Sequence, residues 1–366
     1  MSIGGFMRRL GVSIYPEKSS VAEILDYLEA ASKIGAKRIF SCLLSVPKDP
    51  KQIKADFLDI HRAAHKLGYE IVLDVNPQVF KDLGISYKDL SFFHEIEADG
   101  IRLDQGFGGA VESAMTYNQY GLQIELNLSN ATHMLDTVMD FMPDCYHLLA
   151  CHNFYPHKYS GLTLDFLERC SLKAKAYGLR TAAFISCANG FGPWPTTEGL
   201  PTLEMHRNWP IDVQLKHFVA LNYIDDIIIS NCFPTKDELA ALANVNLQIV
   251  NFKVSAACEL PEIAKNIVFK EKHMKRGDIP EHMIRSSVGR IKYGEAEIPL
   301  FNAPETLKRG DVVLESSLYQ TYRGEVQIVL KDMPNSGCSN VVGHISDEEM
   351  QIVDGLKPWQ RFSFNL

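Results

Sequence analysis

Up to about residue 245 this chain repeats one pattern eight times: a short apolar run, then an amphipathic segment. LGVSIYP (10–16) leads into VAEILDYLEAASKIG (21–35), whose apolar residues recur at helical spacing and stop at Gly35. KRIFSCLL, YEIVLDVN, GIRLDQGF, LQIELNLS, CYHLLACHNFYP, RTAAFISCAN (180–189) and DDIIISN follow, each with its own helical partner; the helix after YEIVLDVN is expected to end near His94. Eight strand–helix units in series close into a parallel barrel whose functional site lies on the loops after the strands. Past Asn246 the pattern changes to strand-like runs separated by turn residues, among them HMIRSSVGRIKY and EVQIVLKD, with DEEMQIVDGLK as the one good helix. The expected architecture is therefore α/β: a (β/α)8 TIM barrel over residues 1–248 and a small mostly-β barrel over 249–366.

Three consecutive strands concentrate the chemistry. Side chains alternate in a strand, so Val72, Asp74 and Asn76 share one face, as do Arg102 with Asp104 and Glu125 with Asn127. The opposite faces are wholly apolar and suit burial against helices. Asp74 and Asp104 are thus both expected inside the barrel near the C-terminal end, on strands about 4.8 Å apart. Such a pair suits acid–base or nucleophilic work, since proximity drives two carboxyl pKa values apart. Glu125 lies deeper and is expected to pair with Arg102. Asn127 and Asn153 are candidates for holding sugar hydroxyls or an acetamide. CHNFYPH (151–157) ends strand six with His152, Asn153 and Tyr155, and parity forbids His152 and Asn153 from both facing inward unless the strand has ended.

The long loop after strand seven carries Phe191, Trp194 and Trp209 with Glu198, Glu204, His206 and Arg207, and reads as a lid or binding loop. Glu204 is a reserve catalytic acid and Arg207 a candidate anion clamp. Gly108 and Gly109 are candidates for a backbone nest around a phosphate. Arg285, Arg290, Arg323 and Lys331 would add to an anionic site if the second domain covered the barrel mouth. His61 and His65 have the i, i+4 spacing of metal ligands but lack the intervening Glu of a zinc-protease motif, and read as a solvated helix face. No metal or cofactor is expected.

A net charge of −8 and a pI near 5.9 argue against a nucleic-acid surface. The first sixteen residues lack the apolar core of a secretory signal, no run is long enough for a membrane span, and the eight cysteines form no CxxC pair. A cytoplasmic protein with reduced thiols is expected, and its oligomeric state is open.

LGVSIYPE, LDVNP, IRLDQGF, LNLSN, CHNFYP, EGLPTLEMHR and KRGDVVLES, in this order over essentially the whole chain, resemble the MupG-like bacterial 6-phospho-N-acetylmuramidases. The resemblance implies a TIM barrel joined to a cyclophilin-like barrel. It also implies hydrolysis, during cell-wall recycling, of the β-1,4 bond in 6-phospho-N-acetylmuramyl-N-acetylglucosamine, a phosphorylated amino-sugar disaccharide. On this reading Asp74, Asp104 and Glu204 are the catalytic candidates. Tyr15, Asn76, Asn127, His152, Asn153, Tyr155, Trp194 and Arg207 are the substrate contacts, with Gly108, Gly109 and Arg207 toward phosphate. The alternatives are a sugar-phosphate isomerase or aldolase and a non-catalytic phosphosugar-binding protein. The first is weakened by the absence of His-x-His in strand one and of a lysine at an inward strand end.

Overall fold

The computed structural model describes residues 7–43, 50–195 and 198–366, with the side chains of residues 50–53, 55 and 56 also outside the description. Two compact units divide the chain, residues 1–244 and 245–366. In the first, β1 (Arg9–Ile14), β2 (Ala36–Cys42), β3 (Glu70–Val75), β4 (Gly100–Leu103), β5 (Gln123–Asn127), β6 (Leu148–Cys151), β7 (Arg180–Ile185) and β8 (Asp226–Ile229) form a closed barrel in sequence order. Neighbouring strands are parallel, and β1 closes the circle on β8. This is the TIM barrel that the eightfold pattern predicts.

Helices α1 (Val21–Lys33), α2 (Pro50–Lys66), α3 (Pro77–Asp82), α4 (Ser91–Glu95), α5 (Ala110–Met115), α6 (Met134–Asp140), α7 (Leu164–Ala176), α8 (Ile211–Leu221) and α9 (Lys236–Ala243) connect the strands. Reciprocal capping boxes, Ser20 with Glu23 and Thr235 with Glu238, start α1 and α9. The single helix expected to end near His94 is instead α3 and α4. Ser86 Oγ accepts the Lys88 N–H (3.1 Å) and Asp89 Oδ1 that of Ser91 (2.9 Å), and these local bonds replace a helical turn.

Strand alternation divides the barrel as expected. Ile71, Leu73, Val75, Ile101, Leu103, Ile124 and Leu126 are buried on the helix-facing side. Asp74, Arg102 and Glu125 stand in register across β3, β4 and β5 on the inner side. The inner floor is charged. Arg38, on β2, places Nη2 2.6 and 2.7 Å from the Glu125 oxygens and Nη1 2.8 Å from Asp226 Oδ2. Asp226 also accepts from Arg9 and Arg180. Burial pushes the Asp226 pKa up, but those three guanidinium groups outweigh it and hold the carboxylate well below the usual range. The expected Arg102–Glu125 pair is therefore corrected: Arg38, which parity also turns inward, takes Glu125, and Arg102 is engaged by Asp74, Asp104 and Asn153.

The second unit is built on a seven-stranded sheet: β9 (Val250–Ala256), β10 (His273–Met274), β11 (Met283–Ser286), β13 (Asp311–Glu315), β14 (Val326–Val329), β16 (Ser339–Ile345) and β17 (Arg361–Asn365), in the order β10-β17-β9-β16-β13-β14-β11. A separate two-stranded antiparallel ladder pairs β12 (Thr306–Leu307) with β15 (Met333–Pro334). The strand expected through HMIRSSVGRIKY stops at Ser286, and Val288–Tyr293 is helical. There the backbone of Gly289 lies so close to the Gly324 carbonyl that an added Cβ would sit 2.2 Å from its oxygen, an approach only glycine permits. Further short helical turns cover Glu262–Lys265 and Asn266–Lys270, and the expected helix runs over Asp347–Asp354. The cations proposed for an anion site here have partners: Arg285 with buried Glu325 (2.7 Å), Arg290 with the same carboxylate (3.6 Å), Lys331 with Glu281, and Arg323 with the Gly294 carbonyl (3.4 Å).

Candidate active site

At the C-terminal end of the barrel a cavity of about 200 Å3 is lined by Phe40, Cys42, Asp74, Arg102, Asp104, Asn153, Phe154, Phe184 and Trp194. Strand parity supplies the deeper part: Phe40 and Cys42 from β2, Asp74 from β3, Arg102 from β4 and Phe184 from β7. Phe40, Phe154 and Phe184 pack edge to face, with ring centroids 5.1 to 6.0 Å apart, and give the cavity an apolar wall. Trp194, about two-fifths exposed, brings the long loop to the rim.

Arg102 organises the polar side. Its Nη1 lies 2.5 Å from Asp74 Oδ1 and 3.5 Å from Asp104 Oδ1, and its Nη2 donates to Asn153 Oδ1. Asp74 is in register with Arg102 itself, whereas Asp104 follows the end of β4 and sits two residues higher. Asn127 Nδ2 holds Asp104 from the neighbouring strand, 3.0 Å from its carbonyl and 3.5 Å from Oδ1. Burial pushes the Asp74 carboxyl up to about 6; Arg102 opposes this and the Asp104 charge adds to it. A carboxyl whose proton is held to about pH 6 and a second carboxyl group are thus brought beside one fixed cation. The phenol of Tyr155 is half-buried; burial raises its pKa, and the charges of Arg102 and Asp104 reach it.

Other expected contacts have different roles. Tyr15 is fully buried, donates to the Ser230 carbonyl (2.5 Å) and is not among the residues lining the cavity. Asn76 caps α3, its Oδ1 accepting the Val79 N–H at 2.9 Å. β6 ends at Cys151, which frees the parity at the strand end: Asn153 enters the cavity, and His152 turns into the helix layer, Nε2 2.8 Å from Ser171 Oγ. Burial lowers the His152 pKa to about 3, so it packs as a neutral ring. His61 is likewise buried rather than solvated, with Nδ1 2.6 Å from the Ile96 carbonyl.

The expected phosphate groups are occupied by the protein itself. The N–H groups of Phe107 and Gly109 (2.7 Å) both donate to the Glu112 carboxylate, so the turn already cradles an anion. Gly109 has φ +96°, and an added Cβ would lie 2.5 Å from Thr137, which explains the glycine without a ligand. Arg207 directs Nε and Nη2 at Glu204 (2.7 and 2.6 Å) and Nη1 at the carbonyls of Tyr155, Glu198 and Gly199. Glu204 also accepts the N–H groups of Tyr159 (2.9 Å) and Gly161 (2.8 Å). The Arg207 hydrogen bond, with those N–H groups, holds its carboxyl at about 2. A group so firmly ionised is a poor proton donor, and the pair acts as a clasp of the long loop. The stability it lends is present above the ordinary carboxylate range and is lost as pH falls toward 2. Glu204→Gln is expected to lower Tm by several degrees, on the order of 1–2 kcal/mol, and to leave kcat/KM within about threefold. A hundredfold loss of activity with unchanged Tm would return Glu204 to the chemistry.

Sequence reasoning missed the aromatic wall, and it set Arg102 with Glu125, giving a pairing of Arg102 with Asp74 or Asp104 only as the non-catalytic reading of those carboxylates. Strand parity already turned Phe40 and Cys42 inward beside Asp74. Among the described residues no group of three or more His, Cys, Asp or Glu side chains is arranged to hold a metal ion, and no helix is long and apolar enough to cross a membrane.

Comparison with known proteins agrees with this architecture. A solved structure of an uncharacterized B. cereus protein is 42% identical and superposes with a TM-score of 0.89, over 98% of this chain and 100% of that one. A conserved E. faecalis protein of unknown function, 23% identical with a TM-score of 0.71 over 98% and 96% of the two chains, shares the fold. No curated protein matches. Two family models do: that described as 6-phospho-N-acetylmuramidase, N-terminal, over residues 10–244, and that described as 6-phospho-N-acetylmuramidase, C-terminal, over 250–365. With nearly its whole length matched by the two together, the chain belongs to the 6-phospho-N-acetylmuramidase family.

Proposed function

We propose that this protein hydrolyses the β-1,4 bond of 6-phospho-N-acetylmuramyl-N-acetylglucosamine, releasing 6-phospho-N-acetylmuramic acid and N-acetylglucosamine, in cytoplasmic recycling of peptidoglycan. The observation that carries the reading is the pair of carboxylates, Asp74 and Asp104, gathered by one guanidinium nitrogen in an aromatic-walled cavity at the mouth of the barrel. Family membership supports the substrate class, and eight free thiols, five of them buried, suit a reducing compartment. The likeness of the second unit to a cyclophilin barrel is part of the same proposal.

Asp74 keeps its proton to about pH 6 and serves as the acid that protonates the glycosidic oxygen. Asp104, held by Asn127 and Arg102, is the carboxylate that acts at the anomeric carbon. At 2.5 and 3.5 Å from a common atom, the two oxygens are no more than about 6 Å apart. That separation suits retaining enzymes, with carboxyl groups ~5–5.5 Å apart, better than inverting ones at ~6.5–9.5 Å, so net retention is proposed. Neither step calls for a metal. Among the described residues no lysine lines the cavity, which counts against a Schiff-base aldolase.

The test is incubation with the phosphorylated disaccharide and its unphosphorylated twin, with chelator present, and mass spectrometry of the products. Cleavage of the phosphorylated compound alone is expected. Intact disaccharide after prolonged incubation would replace hydrolysis by phosphosugar binding, and loss of activity on chelation would overturn the metal-free mechanism.

A further inference from the structure

The cavity contains one amide whose orientation its neighbour dictates. Arg102 Nη2 donates to Asn153 Oδ1, and because a guanidinium carries only donors the amide oxygen must face it. The Nδ2 amine therefore points away from Arg102, and among the described residues it has no hydrogen-bond partner, although Asn153 lines the cavity. The residue is otherwise pinned: its N–H donates to Ser129 Oγ (2.7 Å) and its carbonyl accepts from Thr202 Oγ1 (2.8 Å). A rigid backbone and a fixed amide present one aimed donor.

The Asp74 and Asp104 carboxylates line the same cavity and are held by the same guanidinium. A sugar hydroxyl can donate to those acids, but an amide carbonyl only accepts and needs a donor. An anionic substituent, a phosphate or a carboxylate, would meet the Asp104 carboxylate, whose counter-charge on Arg102 is already shared with Asp74 and Asn153. A neutral, acceptor-only oxygen next to the anomeric carbon remains, and on an amino sugar the C2 acetamido carbonyl has that chemistry. We propose that Asn153 Nδ2 donates to this carbonyl, which makes Asn153 the determinant that selects an N-acetylated sugar over one with a plain C2 hydroxyl. The proposal rests on the reading of Asp74 and Asp104 as the catalytic pair acting on a phosphomuramyl sugar.

Binding isolates this contact from chemistry. Isothermal titration of 6-phospho-N-acetylmuramic acid, and of its analogue with a C2 hydroxyl, is made into wild type, Asn153→Ala and Asn153→Asp. Wild type is expected to bind the acetamido sugar at least about 10-fold more tightly, and both variants to bind the two within about twofold of each other. The aspartate keeps an acceptor for Arg102, loses the donor and adds a negative charge that both equally charged ligands meet alike, so the ratio of the two affinities separates the substrate contact from support of Arg102. Equal weakening of both ligands in both variants would overturn the proposal and reduce Asn153 to a buttress. If wild type cleaves the disaccharide yet binds both sugars alike, this inference fails and the functional reading stands. If it neither cleaves nor binds, both fall.

Discussion

Asp104→Asn is expected to lower kcat/KM on the phosphorylated disaccharide by at least about 1,000-fold, with Tm within about 2 °C of wild type. The substitution keeps the shape and the oxygen that Arg102 Nη1 and Asn127 Nδ2 approach, and removes the charge needed at the anomeric carbon. It has a second, separable effect. Asp104 is one of the groups that raise the Asp74 carboxyl to about 6, after burial and against Arg102. On the proposed mechanism the protonated acid is the active form in wild type, so kcat/KM is expected to fall as pH rises through about 6. With the neighbouring charge gone, Asp74 titrates lower, and the residual activity of the variant should lose its alkaline limb at a lower pH. Near-wild-type turnover in the variant would remove Asp104 from the mechanism. An unmoved limb would show that the two carboxylates do not share a proton economy, even if both are needed.

The barrel was legible because its information is local and periodic. Period-two alternation in β3, β4 and β5 places Asp74, Arg102 and Glu125 inside whatever else the chain does, and eight such units leave few closed topologies. Partner choice inside the barrel was not legible. Whether Glu125 meets Arg102 or Arg38 depends on side chains reaching across the lumen from strands 87 residues apart in sequence, which no pattern within one strand encodes. Site residues beyond the strand ends were harder still. His152 and Asn153 are adjacent, yet Ser171 draws one into the helix layer and Arg102 draws the other into the cavity. Gly109, in the Gly108–Gly109 turn, and Arg207 have the composition of an anion site because they already serve anions, the carboxylates of Glu112 and Glu204. Composition cannot distinguish an internal anion from a ligand.

That charged floor gives the largest stability effect. Arg38→Met is expected to destabilise the protein by about 3–5 kcal/mol, because truncating one side of a buried ion pair leaves the other charge without compensation. Glu125 suffers most. Both its oxygens lie on Arg38 Nη2, whereas Asp226 keeps Arg9 and Arg180. Adding Glu125→Gln should therefore recover most of the loss, and a double-mutant cycle should give a coupling of about 2–3 kcal/mol. A single variant that unfolds within about 3 °C of wild type, or a double variant no more stable than the single, would mean that water reaches this layer and screens it. The floor is also electrically coupled to the site above. Glu125 is among the charges that raise the Asp74 pKa, and Arg38 lies against it. Removing Arg38 alone unmasks that charge, which pushes the Asp74 acid further up and carries the alkaline limb of kcat/KM to higher pH, opposite in sign to the shift expected for Asp104→Asn.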